Sequence, residues 1–350
     1  MTQSNSSISY LLAFSGALSQ GSGEHYGIGR FQIYVVGVDG SGLRRVSHNP
    51  DADETNPSWS PGGQYLAYAT AIVTAQATTG DIICVLADGS SPQSLTGRTG
   101  RNSPRWMPNS QQVLYCAPDE GGGEGYWRLV DANGHAGRRL FALEEAIISS
   151  TSPDGTAFAV TKRGQFNAFQ IVTDAGEMVE EFVDEHEFLR DPIWSSDGDA
   201  IAFAATNGEA GDVEGLYVLD RRTRDIRQVG QMAFEAGFAW SPDGQRLAFV
   251  GPGGDGQIAY ETVYLVQRDG IGLHPLVNLN LDDMSGEIPS SLPAWSPDGQ
   301  YLAVSTYVDD AFAIDIYTVD GRLDRRLSWP DQPFALIYDV AWQPYRNIGS

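Results

Sequence analysis

The chain has 350 residues, and its 45 acidic against 22 basic side chains give a formal net charge of −23. That balance argues against nucleic-acid and anionic-membrane surfaces, which need clustered Lys and Arg. Forty glycines and 18 prolines, set between short runs of strand formers, give the pattern of an all-β chain with many turns.

Taken in chain order, residues 8–19 (ISYLLAFSGALS) are apolar enough to imitate a signal-peptide core, but residues 1–7 contain no Lys or Arg. Their match to a repeated strand favours the cytoplasm over cleavage and export. No run approaches transmembrane length, so direct membrane insertion is not expected. GSGEHYGIG (21–29) and GPGGDG (251–256) superficially look like phosphate loops, yet neither is followed by a helix and both read as connections. Cys84 and Cys116 lie in apolar runs without CxxC spacing, which reads as two unlinked thiols.

A repeat dominates the rest. NPSWSPGGQYLAYA (56–69), SPRWMPNSQQVLYCA (103–117), ISSTSPDGTAFAV (148–160) and DPIWSSDGDAIAFAA (191–205) align with GFAWSPDGQRLAFVG (237–251), LPAWSPDGQYLAVS (292–305) and DVAWQPYRN (339–347). The anchors are Trp59, Trp106, Thr151, Trp194, Trp240, Trp295 and Trp342, spaced by 47, 45, 43, 46, 55 and 47 residues. Ser-Pro opens a type I turn, and the following Gly supplies the left-handed residue that lets the next strand pair back. With a second hairpin after each, the repeat makes four antiparallel strands, the unit of a propeller blade. Residues 8–47 lack a first strand and 339–344 supply one. The expectation is therefore a single seven-bladed β-propeller domain over 1–350, closed by the C-terminal strand joining the N-terminal strands.

The W-S-P-D-G-x-x-L-A-F repeat resembles the TolB-like (PD40, WD40-like) β-propeller family over essentially the whole chain. That resemblance implies the fold and a habit of residing in the cell envelope. It leaves function open, because such repeats serve both transport accessories and the non-catalytic propellers of peptidases.

No G-x-S-x-G elbow, G-x-x-x-x-G-K-[ST] or H-E-x-x-H occurs, so no catalytic residue and no nucleotide cofactor is assigned. The metal candidates are carboxylate clusters of the kind Ca²⁺ prefers: Asp51 and Asp53; Asp184, Glu185, His186 and Glu187; and Asp282, Asp283 and Glu287. Loops joining strands two to three, and four to the next blade, share one face and are acidic. The outer hairpins of the other face collect Arg44, Arg138, Arg221, Arg268 and Arg325. The leading expectation is a non-catalytic scaffold offering the acidic loops to a protein partner. The alternatives are a calcium-dependent propeller enzyme of hydrolase, lactonase or lyase type, and a carbohydrate-binding module with Tyr126, Trp127, Tyr307 or Trp329 as platforms. Oligomeric state is left open.

Overall fold

The computed structural model describes residues 10–20, 27–73, 78–97, 103–117, 126–134, 137–140, 146–162, 165–183, 188–206, 213–233, 237–253, 260–279 and 292–344. These form antiparallel sheets, and among them no helix is long and apolar enough to cross a membrane. Five sheets have four strands each and span 53–94, 105–139, 146–183, 188–233 and 238–279. Each is a meander in sequence order, so the first strand, which carries the anchor (Trp in four sheets, Thr151 in the third), is always an end strand.

The expectation of seven four-stranded blades is thereby corrected to five. The other eight strands form one continuous sheet, in the order Ala294–Trp295, Tyr301–Val308, Ala311–Thr318, Phe334–Trp342, Leu11–Gln20, Gly27–Gly37, Arg44–Arg45, with Leu323–Leu327 paired to Ala311–Thr318. The last strand begins at Phe334 rather than near 339, and this extra length lets Phe334 pair with Phe312. Its far end pairs with the first strand, Leu12 opposite Trp342 and Ala13 opposite Ala341. Aromatic packing fixes the joint: Phe14 meets Phe334 at 5.4 Å and Trp329 at 5.5 Å. Gly16 is needed there, since a Cβ would lie 2.7 Å from the Phe334 ring.

The core lies between the sheets. In the second strands, small apolar residues alternate with large ones, and Leu66, Tyr68, Phe158, Phe203 and Phe249 are buried. The repeat motif has two structural duties. Its tryptophans run a chain of hydrogen bonds between neighbouring first strands, each indole N–H donating to the carbonyl just before the preceding anchor. Trp106 donates to Ser58 (2.9 Å), Trp240 to Ile193 (3.0 Å), Trp295 to Ala239 (3.1 Å) and Trp342 to Ala294 (2.8 Å). Trp59 donates to Ala341 at 3.3 Å, joining the first copy to the last. Where Thr151 replaces Trp the chain falters, and the next indole, Trp194, has no acceptor among the described residues.

The second duty is the turn. A buried Ser accepts the amide N–H five residues on and donates to the Asp two residues on, as Ser241 does with Arg246 (2.9 Å) and Asp243 (2.5 Å). Gly63, Gly155, Gly198, Gly244 and Gly299 supply the positive φ (65, 74, 78, 68 and 67°).

The outer arginines clasp neighbouring repeats. Arg44 bonds the Ala87 carbonyl, Arg138 pairs with Asp174, Arg221 with Glu180, Arg268 with Asp197, and Arg325 bonds the Val38 carbonyl.

Candidate functional site

Each first strand runs from the loop face to the turn, so its opening residues surround the end of the ring opposite Ser-Pro-Asp-Gly. Three of these strands carry a bulge there, with a non-glycine residue in left-handed conformation three positions before the anchor. These are Asn56 (φ 56°), Asp191 (φ 50°) and Asp339 (φ 53°). Asn and Asp tolerate that region better than other side chains, and such outliers gather at functional sites.

Asp339 is half-buried and links three strands. Its Oδ2 accepts from Ser15 Oγ at 2.9 Å and from the Asn56 amide at 3.0 Å. Its Oδ1 makes no hydrogen bond to a described residue. Asn56, whose amide bonds Asp339, also lines a cleft of about 420 Å³ together with Phe31, Asp53, Thr55, Thr70 and Ser103. Further round, Arg105 donates to the Ile148 carbonyl (2.9 Å) and to that of Ser149. Burial pushes the Arg105 guanidinium below its usual value, and the Asp191 charge opposes that shift. Asp191 itself pairs with Arg190 at 2.6 Å. Among the described residues, this end of the first strands thus carries the carboxylates of Asp53, Asp191 and Asp339 and the guanidiniums of Arg105 and Arg190.

A second polar group lies behind the same strand. Glu54 is 1% exposed and accepts from the Asn49 amide at 3.4 Å, while its Oε2 and the Tyr68 hydroxyl have no hydrogen-bond partner among the described residues. Burial, before any opposing bond, raises the Glu54 carboxyl above the usual range. The same cause raises Tyr68, with the Glu54 charge adding to it.

The sequence candidates fare unevenly. Asp53 spends Oδ1 on the Phe31 amide (3.1 Å) and Oδ2 on Arg30 (3.0 Å), while Asp51 is exposed. Among the described residues no three His, Cys, Asp or Glu side chains group as metal ligands. A cation at Asp53 would have to displace Arg30. Asp184, Glu185, His186, Glu187, Asp282, Asp283 and Glu287 lie outside the described residues. Trp59, Trp106, Trp194, Trp240, Trp295 and Trp342 are buried or nearly so.

Of the sugar platforms, Tyr126 lies under Arg139 (3.7 Å) and Arg128 (5.9 Å), and Trp329 packs on Phe14. Tyr307 stands edge-on to Phe312, and Trp127 is half-buried. Cys84 and Cys116 are not disulfide-linked, and burial pushes the Cys84 thiol up to about 12. Sequence reasoning missed Asn56, Ser103 and Asp339. The signal was the residue three before each anchor, polar in NPSW, SPRW, DPIW and DVAW.

No family model matches the chain, so the narrower PD40 assignment is without that support. Over 150 residues the chain is 30% identical to a Bacillus subtilis (strain 168) protein named uncharacterized peptidase YuxL, a match covering 35% of this chain. The chain spans only 22% of that relative's length. It superposes on TolB from Acinetobacter baumannii with a TM-score of 0.57 at 16% identity, covering 96% of this chain and 67% of that one. Against oligogalacturonate lyase from Vibrio parahaemolyticus the TM-score is 0.60 at 11% identity, covering 87% and 90%. The fold is a TolB-like β-propeller. The expected non-catalytic scaffold with an acidic docking face is corrected by these comparisons, which bring in propellers bearing enzyme names, a peptidase and a lyase.

Proposed function

We propose that the chain is an enzyme-type propeller of the hydrolase or lyase class, working at the mouth of the ring beside Asp339. One observation carries this reading: the carboxylate is held by Oδ2 while Oδ1 is left without a hydrogen bond to a described residue, and Asn56, whose amide holds it, lines the 420 Å³ cleft. A carboxylate fixed by one oxygen presents the other as a proton acceptor in a set orientation. In hydrolysis it would take the proton of an attacking water; in elimination, a proton next to a carbonyl. The enzyme names of the peptidase relative and the lyase support the class. The substrate is not carried over, because the match covers a minor part of that relative and the lyase likeness is one of fold.

The test is a turnover screen of p-nitrophenyl esters, aminoacyl p-nitroanilides and oligogalacturonate with the wild-type chain, followed by Asp339→Asn. The expected loss in kcat is roughly 10²- to 10⁴-fold with the melting temperature nearly kept. Ser15→Ala, which frees Oδ2, should lower kcat more than it changes KM. Turnover that survives Asp339→Asn, or none on any of the three substrate classes, overturns the reading.

A further inference from the structure

We infer that the axial tunnel of the ring binds a small monocarboxylate through Arg105, independently of any chemistry at Asp339. The tunnel wall is made by the anchor-bearing strands, which hydrogen bonds link side by side. Besides the indole bonds, Arg105 Nη1 donates to the Ile148 (2.9 Å) and Ser149 carbonyls of the next such strand. Ser150 Oγ in turn donates to the Pro192 carbonyl, at 2.8 Å, on the strand after that. With the Trp59 indole bonded to Ala341, these strands close around an axis.

One position of these strands opens to that axis. The tryptophan anchors are buried, yet the residue just before an anchor is only half-buried, at Ser58, Ser150, Ile193, Ala239, Ala294 and Ala341 alike. Successive side chains of a strand point to opposite sides. The rest of each sheet covers these strands from outside, so the tunnel is what exposes the position before the anchor. None of those six side chains is charged. In the second repeat the same position holds Arg105, which is also half-buried.

Among the described residues this guanidinium has no counter-ion. Nη1 spends its two protons on the two carbonyls, and Nε and Nη2 make no hydrogen bond to a described residue. Arg128, Arg139 and Arg221 each have an Nε closed to solvent, but neither Nε nor Nη2 of Arg105 is closed in that way. Asp191, whose charge Arg105 feels, is already paired with Arg190 at 2.6 Å. A partly buried charge without a partner is costly, and an anion would relieve that cost. The Nε–Nη2 edge offers two parallel donors in one plane, which match the two oxygens of a carboxylate. A single guanidinium in a chain of net charge −23 favours a monoanion over a dianion such as hydrogen phosphate.

The experiment follows the arginine Nε–H resonances of ¹⁵N-labelled full chain during titration with sodium acetate, at an ionic strength held constant with chloride. Arg105 is assigned through Arg105→Gln or, should that variant not fold, through Arg105→Lys. A saturable shift of the Arg105 signal is expected, and acetamide should leave the signal in place. Acetate should also raise the melting temperature of the wild-type chain. Arg105→Lys keeps the charge and removes the paired donors. It should need roughly 10-fold more acetate for the same rise, the worth of one charge-assisted hydrogen bond. An Arg105 signal that stays put, or that moves as far with acetamide, overturns the inference. So does a melting rise that Arg105→Lys retains in full. Tighter binding of phosphate than of acetate overturns the choice of a monocarboxylate.

Discussion

At the scale of single residues, the same amino acid has different worth in successive repeats. Trp240 gives its indole proton to Ile193 O, whereas Trp194 gives its proton to nothing described. Trp240→Phe should therefore lose about 1–3 kcal/mol at the hydrogen bond on top of any packing loss, and Trp194→Phe only the packing loss. Urea denaturation of both variants reads the difference, and equal losses would contradict it. Glu54 makes an opposite prediction. Its carboxyl is raised by burial, so its contribution to stability is full below the unfolded value near ~4.3 and is lost as pH rises through the folded value. Glu54→Gln should accordingly raise the melting temperature at pH 7, and the gain should shrink towards pH 4. Asp154 titrates the other way. The Ser152 hydroxyl first, and then the Thr156 amide, hold its carboxyl below the usual range. That stabilisation is present above about 3.9 and fades as pH falls through the folded value.

At the scale of elements, a strand pair can depend on one charged contact. On Ala311–Thr318, Asp315 is fully buried and takes two bonds from Arg326 of Leu323–Leu327, both 2.7 Å. The Tyr317 hydroxyl also donates to it, and burial together with the Asp315 charge pushes Tyr317 up to about 12. Arg326→Ala would leave a buried carboxylate uncompensated, at roughly 3–5 kcal/mol. A double-mutant cycle with Asp315→Asn should recover part of that loss, because the second change removes the stranded charge. The exposed clasps are a contrast. Arg138 with Asp174 lies half in solvent on both sides, and removing it should shift stability by no more than ~1 kcal/mol.

At the scale of the whole molecule, the last strand joins the beginning of the chain to its end. Phe334–Trp342 pairs with Leu11–Gln20 and touches Ala311–Thr318 through Phe312, so truncation after residue 333 would expose two strand edges. That truncation should give a chain that aggregates or unfolds without cooperativity in scattering and calorimetry. Gly16→Ala, driving a Cβ to 2.7 Å from the Phe334 ring, should be a milder version of the same injury.

The sequence by itself determined the all-β class, the anchors and the turns. These follow from local chemistry repeated at near-constant spacing: an indole, a Ser-Pro turn, a left-handed Gly. It could not determine how many separate sheets result, because one contact between Phe312 and Phe334, distant from any motif, merges eight strands into one. Nor did it bring Asp339, Ser15 and Asn56 together. Ser15 and Asp339 stand 324 residues apart along the chain, and only strand pairing across the termini makes them neighbours. Asp51 and Asp53 carry an acidic spacing in the sequence, and only the fold shows that Arg30 pairs with Asp53. Spacing reports what a few neighbouring residues can do; which distant residues meet is decided by the packing of sheets.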